Sequence, residues 1–131
     1  MLELVFPGAA RLAAETPATL AAIGLPLARG VSLHTLAVAV ASGRLDLGAT
    51  APRALVDQLV LLPGIGPWSA EYIAMRARRD PDAFPEGDLG LRKALGGLTP
   101  ARARERSRAW SPWRSYAVMH LWTALSEGDH R

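Results

Sequence analysis

Two helical segments are joined by the tight stretch Leu62-Pro63-Gly64-Ile65-Gly66-Pro67. Glycine has no Cβ, so both glycines can adopt positive φ angles and let another backbone come very close. Ile65 is expected to anchor the turn in the core. Because the turn leads into a helix, its free N–H groups and the positive end of the helix dipole face outward, which suits a phosphate. The stretch therefore predicts a helix–hairpin–helix motif that contacts a phosphate backbone.

An ordinary turn between two helices is the alternative interpretation of this stretch. In that case glycine and proline serve only as helix stop and helix start. The preceding segment carries Leu55, Leu59 and Leu62 on one face, and this context favours the motif. The motif by itself supports only sequence-independent binding to the backbone of DNA.

In the rest of the chain, Pro and Gly recur at the positions where short helices begin and end. No stretch alternates polar and apolar residues, so no strand is predicted. Helices are expected over residues 7–15, 17–23, 27–42, 52–61, 68–78, 89–95, 100–108 and 112–125, followed by a polar tail. The predicted fold is all-α, a small helical bundle that contains the helix–hairpin–helix motif, with one domain over residues 1–131.

The composition excludes several classes of protein. The chain has no cysteine, which excludes disulfides, thiolate metal sites and iron–sulfur clusters. His34, His120 and His130 lack metal-ligand spacing, and no apolar run approaches the length of a membrane span. The formal net charge is +3, and every basic residue except Lys93 is arginine. Arginine suits phosphate contacts, although GC-rich coding would produce the same excess.

An isolated carboxylate follows the hairpin. Asp88 lies 22 positions after Gly66 and directly before Leu89, which predicts the N-cap of a short helix. Capping is its simplest role. The functional alternative is a carboxylate that faces a bound nucleotide. There it would stabilise the oxocarbenium-like cation formed as a base leaves its sugar, or help to activate a water.

Aromatic residues are concentrated after the hairpin. Trp68 and Tyr72 are four positions apart on one predicted helix and share a face, while Trp122 lies on the last helix. Such rings can hold a flipped, positively charged base by stacking and cation–π attraction. The alternative is that they pack in the core. Trp110 and Trp113 are predicted to be core or structural residues.

The sequence resembles the helix–hairpin–helix DNA glycosylases, most of all the DNA-3-methyladenine glycosylase II branch, the AlkA type of alkylation repair. The resemblance runs over nearly the whole chain, from about Phe6 to Leu125. It rests on the hairpin with Trp68, on Ala70-Glu71-Tyr72, on Asp82-Ala83-Phe84-Pro85, on Asp88, and on Trp110-x-Pro112-Trp113-Arg114-Ser115-Tyr116-Ala117.

This resemblance implies an enzyme that hydrolyses the N-glycosidic bond of alkylated bases such as 3-methyladenine, acting on double-stranded DNA that contains the damaged base. Asp88 matches the catalytic aspartate of the family. The resemblance further implies a base pocket lined by Trp68, Tyr72 and Trp122, and backbone contacts to DNA from Gly64, Ile65 and Gly66. It also implies a cytoplasmic protein associated with the bacterial nucleoid.

No organic cofactor is implied, but the carbonyls of Val60, Leu62 and Ile65 match those that hold a monovalent cation, Na⁺ or K⁺, in the family. The reaction is expected to stop at base removal. Relatives that also cut the strand use a lysine just beyond the hairpin, where this chain has Trp68, and Lys93 is its only lysine.

Members of the family usually carry an α/β domain and further helices ahead of the matched region, including the side chain that is wedged into the duplex. The chain is therefore expected to lack that wedge and one wall of the base pocket. Two alternatives stay open, a catalytically silent DNA-binding module and a structural helical domain that binds protein. The Arg-rich segment 101–108 is expected to be a solvated face rather than a DNA-binding stripe.

Overall fold

The computed structural model describes residues 4–128 of the chain, and within that range it contains helices and no strand. The predicted all-α fold is thus confirmed. The helices are α1 Ala9–Ala13, α2 Pro17–Ala21, α3 Leu27–Ala41, α4 Pro52–Leu59, α5 Pro67–Ala77, α6 Leu89–Ala94, α7 Pro100–Ser107 and α8 Arg114–Gly128, with a 3₁₀ turn at Arg108–Trp110 before α8.

Local capping chemistry explains most helix starts. The side chain of Thr16 accepts a hydrogen bond from the Thr19 N–H at 3.1 Å, and Thr99 accepts one from the Arg102 N–H at 3.3 Å. Proline occupies the first turn of α2, α4, α5 and α7, where its missing N–H costs nothing. These signals are local in sequence, and the predicted starts of these helices agree with the structure to within one residue.

Two helices start later than predicted: α1 begins at Ala9 and not at Pro7, and the last helix begins at Arg114 and not at Pro112. The cap of the last helix comes from a distant loop. Asp82 Oδ1 accepts a hydrogen bond from the Arg114 N–H at 3.3 Å, and the Ser115 N–H donates to the Pro81 carbonyl at 2.9 Å. The helix also continues past Leu125 to Gly128, and the rest of the predicted polar tail lies outside the described residues.

Helices α1 and α2 both pack against α3. The close crossing of α2 and α3 depends on Gly30, which is buried within α3. A Cβ at this position would lie 2.4 Å from the Pro17 carbonyl oxygen, well inside van der Waals contact. Gly30 is therefore a packing residue, since only glycine leaves room for the backbone of α2.

Two apolar clusters form the core, and α5 contributes to both. The first joins α3, α4 and the hairpin around Leu55, Leu59 and Ile65, with Ala70 of α5. The second joins the loop after α5 to α6, α7 and α8, and it includes Met75 of α5. Helix α5 thus lies between the clusters and carries the side chains of the candidate site. Across residues 4–128, no helix has the length and apolarity needed to cross a membrane.

Candidate functional site

The two hairpin glycines have different conformations. Gly64 has a φ of +77°, as predicted, and a Cβ there would lie 1.9 Å from Ser32 Oγ of α3. Gly66 does not use the positive φ that glycine allows: its φ is −86°, because it is the extended N-cap residue of α5. A Cβ on Gly66 would meet no atom within 4 Å. The proximity of α3 thus leaves no room for a side chain at position 64, whereas Gly66 faces open space.

The hairpin is also anchored as predicted, because Ile65 is 9% exposed and packs in the first cluster. The predicted cation ligands lie along the same turn. Val60 is the C-cap residue of α4, and the Leu62 carbonyl accepts a hydrogen bond from the Ile65 N–H at 3.2 Å. Backbone carbonyl oxygens are chemically suited to an alkali cation, and that of Val60 lies at the negative end of the α4 dipole.

Asp88 is the N-cap of α6, so the capping interpretation is correct. Its Oδ1 accepts a hydrogen bond from the Leu91 N–H at 2.7 Å and another from Trp122 Nε1 at 3.1 Å. Its Oδ2 accepts one from Trp68 Nε1 at 2.6 Å. The capping carboxylate is therefore also held by two indole groups, from α5 and α8.

The three predicted pocket aromatics lie together around this carboxylate. Trp68 stacks on Tyr72 with ring centroids 5.3 Å apart and planes 6° apart, and Tyr72 lies 6.1 Å from Trp122 at a tilt of 48°. Trp68 is 42% exposed, which excludes the core alternative for this residue. The structure thus brings Asp88 and all three aromatics into one group, which we call the Asp88 cluster.

Two tryptophans outside the Asp88 cluster were predicted to be core or structural residues. Trp110 packs against the second core cluster, edge-on to Phe84. Trp113 is not a core residue, because it is 60% exposed and its ring contacts mainly Tyr116, at 5.9 Å between centroids. The displaced start of α8 explains the difference, since Trp113 belongs to the turn before the helix.

A cleft of about 460 Å³ opens beside the Asp88 cluster. It lies between the start of α5 and the start of α6, so the end of the hairpin forms one of its walls. It is lined by Pro67, Trp68, Gly87, Asp88, Leu89 and Gly90. An apolar surface with one carboxylate suits a flat, positively charged ring.

The loop that leads to Asp88 is tied to α4 and α5 by a network of charges. Arg53 of α4 donates to both carboxylate oxygens of Glu71, at 2.8 and 3.1 Å, and to Asp80 at 2.5 Å. Glu71 Oε2 also accepts the Phe84 N–H at 3.2 Å. No role for Arg53 was predicted from the sequence, because no local signal links residues that are 18 and 27 positions apart.

A second ion pair fixes the same loop to α8. Arg114 donates to Asp82 through Nε at 2.7 Å and through Nη2 at 2.8 Å, and Ser111 Oγ lies 2.9 Å from the same carboxylate. The hydrogen bonds from Arg114, supported by the one from Ser111, lower the pKa of Asp82 below its ordinary value. Asp82 is therefore an ionised cap that connects the loop to the last helix.

Arg76, which was not predicted as a site residue, contacts Tyr72 of the Asp88 cluster. Its guanidinium carbon lies 5.5 Å from the centroid of the Tyr72 ring, and its Nε lies 3.4 Å from the Tyr72 hydroxyl. The signal was present in the sequence, because Arg76 follows Tyr72 by four positions, as Tyr72 follows Trp68.

Comparison with known proteins finds close relatives over nearly the whole chain. It is 48% identical over 130 residues to the probable bifunctional transcriptional activator/DNA repair enzyme AlkA of Mycobacterium tuberculosis, a match covering 95% of this chain and 25% of that protein. It is 39% identical over 122 residues to DNA-3-methyladenine glycosylase 2 of Escherichia coli, covering 91% and 43%. It is 35% identical over 131 residues to DNA-3-methyladenine glycosylase of Bacillus subtilis, covering 92% and 43%. No protein-family model matches the chain.

Nearly the whole chain therefore matches part of proteins named DNA-3-methyladenine glycosylases. The match to AlkA at 48% identity confirms the expected resemblance to the AlkA type. The chain spans less than half the length of each of these relatives.

Proposed function

We propose that this chain carries out base excision on alkylated DNA, hydrolysing the N-glycosidic bond between a damaged base and its deoxyribose in double-stranded DNA. The observation that carries the proposal is the carboxylate of Asp88, held by two indole N–H groups beside stacked aromatic rings. The names of the relatives support the same activity for this chain.

In this reaction Asp88 acts as a fixed negative charge. Loss of the base leaves positive charge on C1′ of the sugar, and a nearby carboxylate stabilises that charge in a water-poor site. Three N–H donors already bind the two carboxylate oxygens. Electrostatic stabilisation is therefore favoured over proton abstraction, and the attacking water reaches C1′ without first being deprotonated by Asp88.

The rings of Trp68, Tyr72 and Trp122 receive the flipped base. An alkylated purine that carries a positive charge is attracted to the electron-rich ring faces, and the exposed Trp68 offers such a surface at the cleft. Because alkylation has already made the base a good leaving group, no second acid is required. The position just beyond the hairpin is occupied by Trp68 and not by lysine, so base removal is not followed by strand cleavage through a Schiff base there.

The hairpin binds the phosphate backbone of the duplex. Gly66 lies at the start of α5 with open space beside it, so a phosphate can approach the N–H groups of the first turn. The backbone of Gly64 and Ile65 completes the contact. The carbonyls of Val60, Leu62 and Ile65 would hold a monovalent cation, which supplies positive charge next to the phosphate. No organic cofactor takes part.

The test uses a duplex oligonucleotide with a single 3-methyladenine or a stable analogue of it. Hot alkali after incubation cuts the strand wherever a base has been removed. The principal variant is Asp88→Asn, because asparagine retains the helix cap but loses the charge. Asp46→Asn is the matched control, since Asp46 also accepts backbone N–H hydrogen bonds, from Gly48 and Ala49, but lies outside the Asp88 cluster.

We expect cutting with the unmodified chain and with Asp46→Asn, and a loss of about 100-fold or more with Asp88→Asn, in line with the removal of a group that stabilises transition-state charge. Equal cutting by both variants would refute the role of Asp88. Binding of the duplex without cutting by any of the three proteins would favour a DNA-binding module over an enzyme.

A further inference from the structure

A row of three side chains runs along α5. Trp68, Tyr72 and Arg76 follow one another at intervals of four residues, so they lie on one face of the helix. The indole of Trp68 stacks on the Tyr72 ring at 5.3 Å, and the guanidinium of Arg76 lies over the same ring at 5.5 Å. A permanent positive charge is therefore in contact with the aromatic group that receives the base.

The guanidinium of Arg76 is available for further contacts. Among the described residues 4–128, the ion pairs involve other arginines, and the hydrogen bond of Arg76 is the long one from Nε to the Tyr72 hydroxyl. Arg76 lines a second cleft of about 330 Å³, which Arg79 also lines. Arginine carries its positive charge on a planar guanidinium with several N–H donors.

Opposite charges thus lie at the two ends of the row on α5. Asp88 binds the indole of Trp68 at one end of the row, and Arg76 lies beyond Tyr72 at the other. A nucleotide whose sugar is beside Asp88 and whose base stacks on the rings extends its base towards Arg76. The carboxylate then faces the carbon that becomes positive, and the guanidinium faces the leaving base.

The charge of the leaving base depends on the lesion. When the C1′–N bond breaks, both electrons stay on the base nitrogen, and the oxygen of a water forms the new bond to C1′ and releases a proton. A cationic alkylated base departs as a neutral molecule. A neutral alkylated base departs with negative charge until it gains a proton from water, and a nearby cation stabilises it.

We propose that Arg76 is a specificity-determining residue that discriminates between lesions by the charge of the base. It stabilises the departure of neutral alkylated bases and disfavours the binding of cationic ones. The proposal rests on the proposed function of the Asp88 cluster and adds a substrate class to it. Asp88 promotes excision of every substrate, whereas Arg76 sets the balance between the two charge classes.

The first experiment measures single-turnover excision from two duplexes, one with the cationic base N7-methylguanine and one with a neutral O-alkylated thymine. Arg76→Met should lower the ratio of neutral to cationic excision about tenfold, the size of one cation–π or charge contact. Arg76→Lys keeps the charge and should retain most of the ratio. Arg79→Met removes a charge from the same second cleft and should leave the ratio unchanged.

The second experiment does not depend on excision. Binding of N7-methylguanosine, held at a pH where it is cationic, and of guanosine is followed by quenching of tryptophan fluorescence. Arg76→Met should bind the cationic nucleoside roughly threefold to tenfold more tightly relative to guanosine than the unmodified chain does. Arg79→Met should match the unmodified chain.

The outcomes separate the two proposals. If Arg76→Met changes neither the ratio of neutral to cationic excision nor the relative binding of the two nucleosides, the role of Arg76 is overturned and the glycosylase proposal stays intact. Absence of excision by every chain, combined with the expected shift in binding, refutes the glycosylase proposal and supports Arg76 as a charge selector. Binding of neither nucleoside by any chain overturns the inference.

Discussion

Gly64 and Gly66 are separated by one residue and serve different purposes. Gly64 has a positive φ and lies close to Ser32 of α3. The fold itself therefore requires glycine at this position, both for the backbone conformation and for the absence of a side chain. Gly66 is extended and faces open space, so nothing within the described structure requires glycine there. Its smallness is relevant only to a partner that approaches from outside.

Alanine substitutions at the two positions should therefore have opposite effects on stability. Gly64→Ala forces a positive φ on alanine and displaces the Ser32 hydroxyl, and we expect it to lower the free energy of unfolding by about 1–3 kcal/mol. Gly66→Ala should be neutral or stabilising by up to about 1 kcal/mol, because its φ suits any residue. Urea unfolding measures both, and equal losses would contradict this account of the hairpin.

The Asp88 cluster illustrates what residues alone predict. Local helix geometry predicts that Asp88 caps a helix, since a capping side chain accepts from the N–H three residues later. It also predicts that Trp68 and Tyr72 share a helix face, since they are four residues apart. The hydrogen bonds from Trp68 and Trp122 to Asp88 span 20 and 34 positions. Local patterns do not predict contacts at such separations, so these residues were placed in one site only through the resemblance to a family. Arg76 was missed although its spacing was visible, because arginine in helices is usually solvated.

At the scale of elements, the loop between α5 and α6 is the best-anchored irregular segment near the site. Asp80 is tied to α4 through Arg53, and Asp82 is tied to α8 through Arg114. The loop carries Asp88 at its end, so the position of the carboxylate is set by helices on both sides. The start of α8 could not be predicted from its own sequence because Asp82 supplies the cap from 32 positions away.

The Asp82 cap should make stability depend on acid pH. The pKa of Asp82 is lowered in the folded protein by Arg114, so the ionised carboxylate stabilises the fold fully above the ordinary pKa that the group has in the unfolded chain. This stabilisation is lost as pH falls through the folded-state pKa. Asp82→Asn should lower the free energy of unfolding at pH 7 by about 1–3 kcal/mol and by less near pH 2.

Thermal or urea unfolding across this range provides the measurement. Glu15→Gln is the control, because Glu15 forms an ordinary i,i+4 pair with the largely exposed Arg11. That pair should contribute less than about 0.5 kcal/mol. If Asp82→Asn and the unmodified chain differed by the same amount at both pH values, the ion pair would not be the source of the effect.

At the scale of the whole molecule, α5 links two apolar clusters and presents the site between them. The all-α class was predictable because Pro and Gly mark nearly every helix boundary in the sequence. The division of the core into two clusters was not predictable, since it depends on contacts between segments far apart in the chain. The Arg-rich α7 buries Ala103 and Ser107 and exposes its arginines, an arrangement that a solvated face and a DNA-binding stripe would both show.

The basic character of the molecule predicts binding to undamaged duplex DNA that depends steeply on salt. For three phosphate contacts, raising the salt from about 50 to about 200 mM should weaken the affinity about 40-fold, since the logarithmic slope is about −0.9 per contact. Fluorescence anisotropy with a labelled duplex measures this slope. Gly66→Ala should weaken binding at every salt concentration, and Asp88→Asn should retain the slope. An affinity insensitive to salt would exclude phosphate contacts as its basis.

In the proposed reaction, the three hydrogen bonds that hold Asp88 also affect how readily the site responds to the charge that develops on the sugar. In water, solvent dipoles must reorient each time charge moves, and that reorganisation costs free energy. Here the Leu91 amide and the indoles of Trp68 and Trp122 fix both oxygens before any DNA arrives. Because these donors hold the carboxylate in one orientation, its orientation is fixed when the chain folds, and little reorganisation is needed when charge develops.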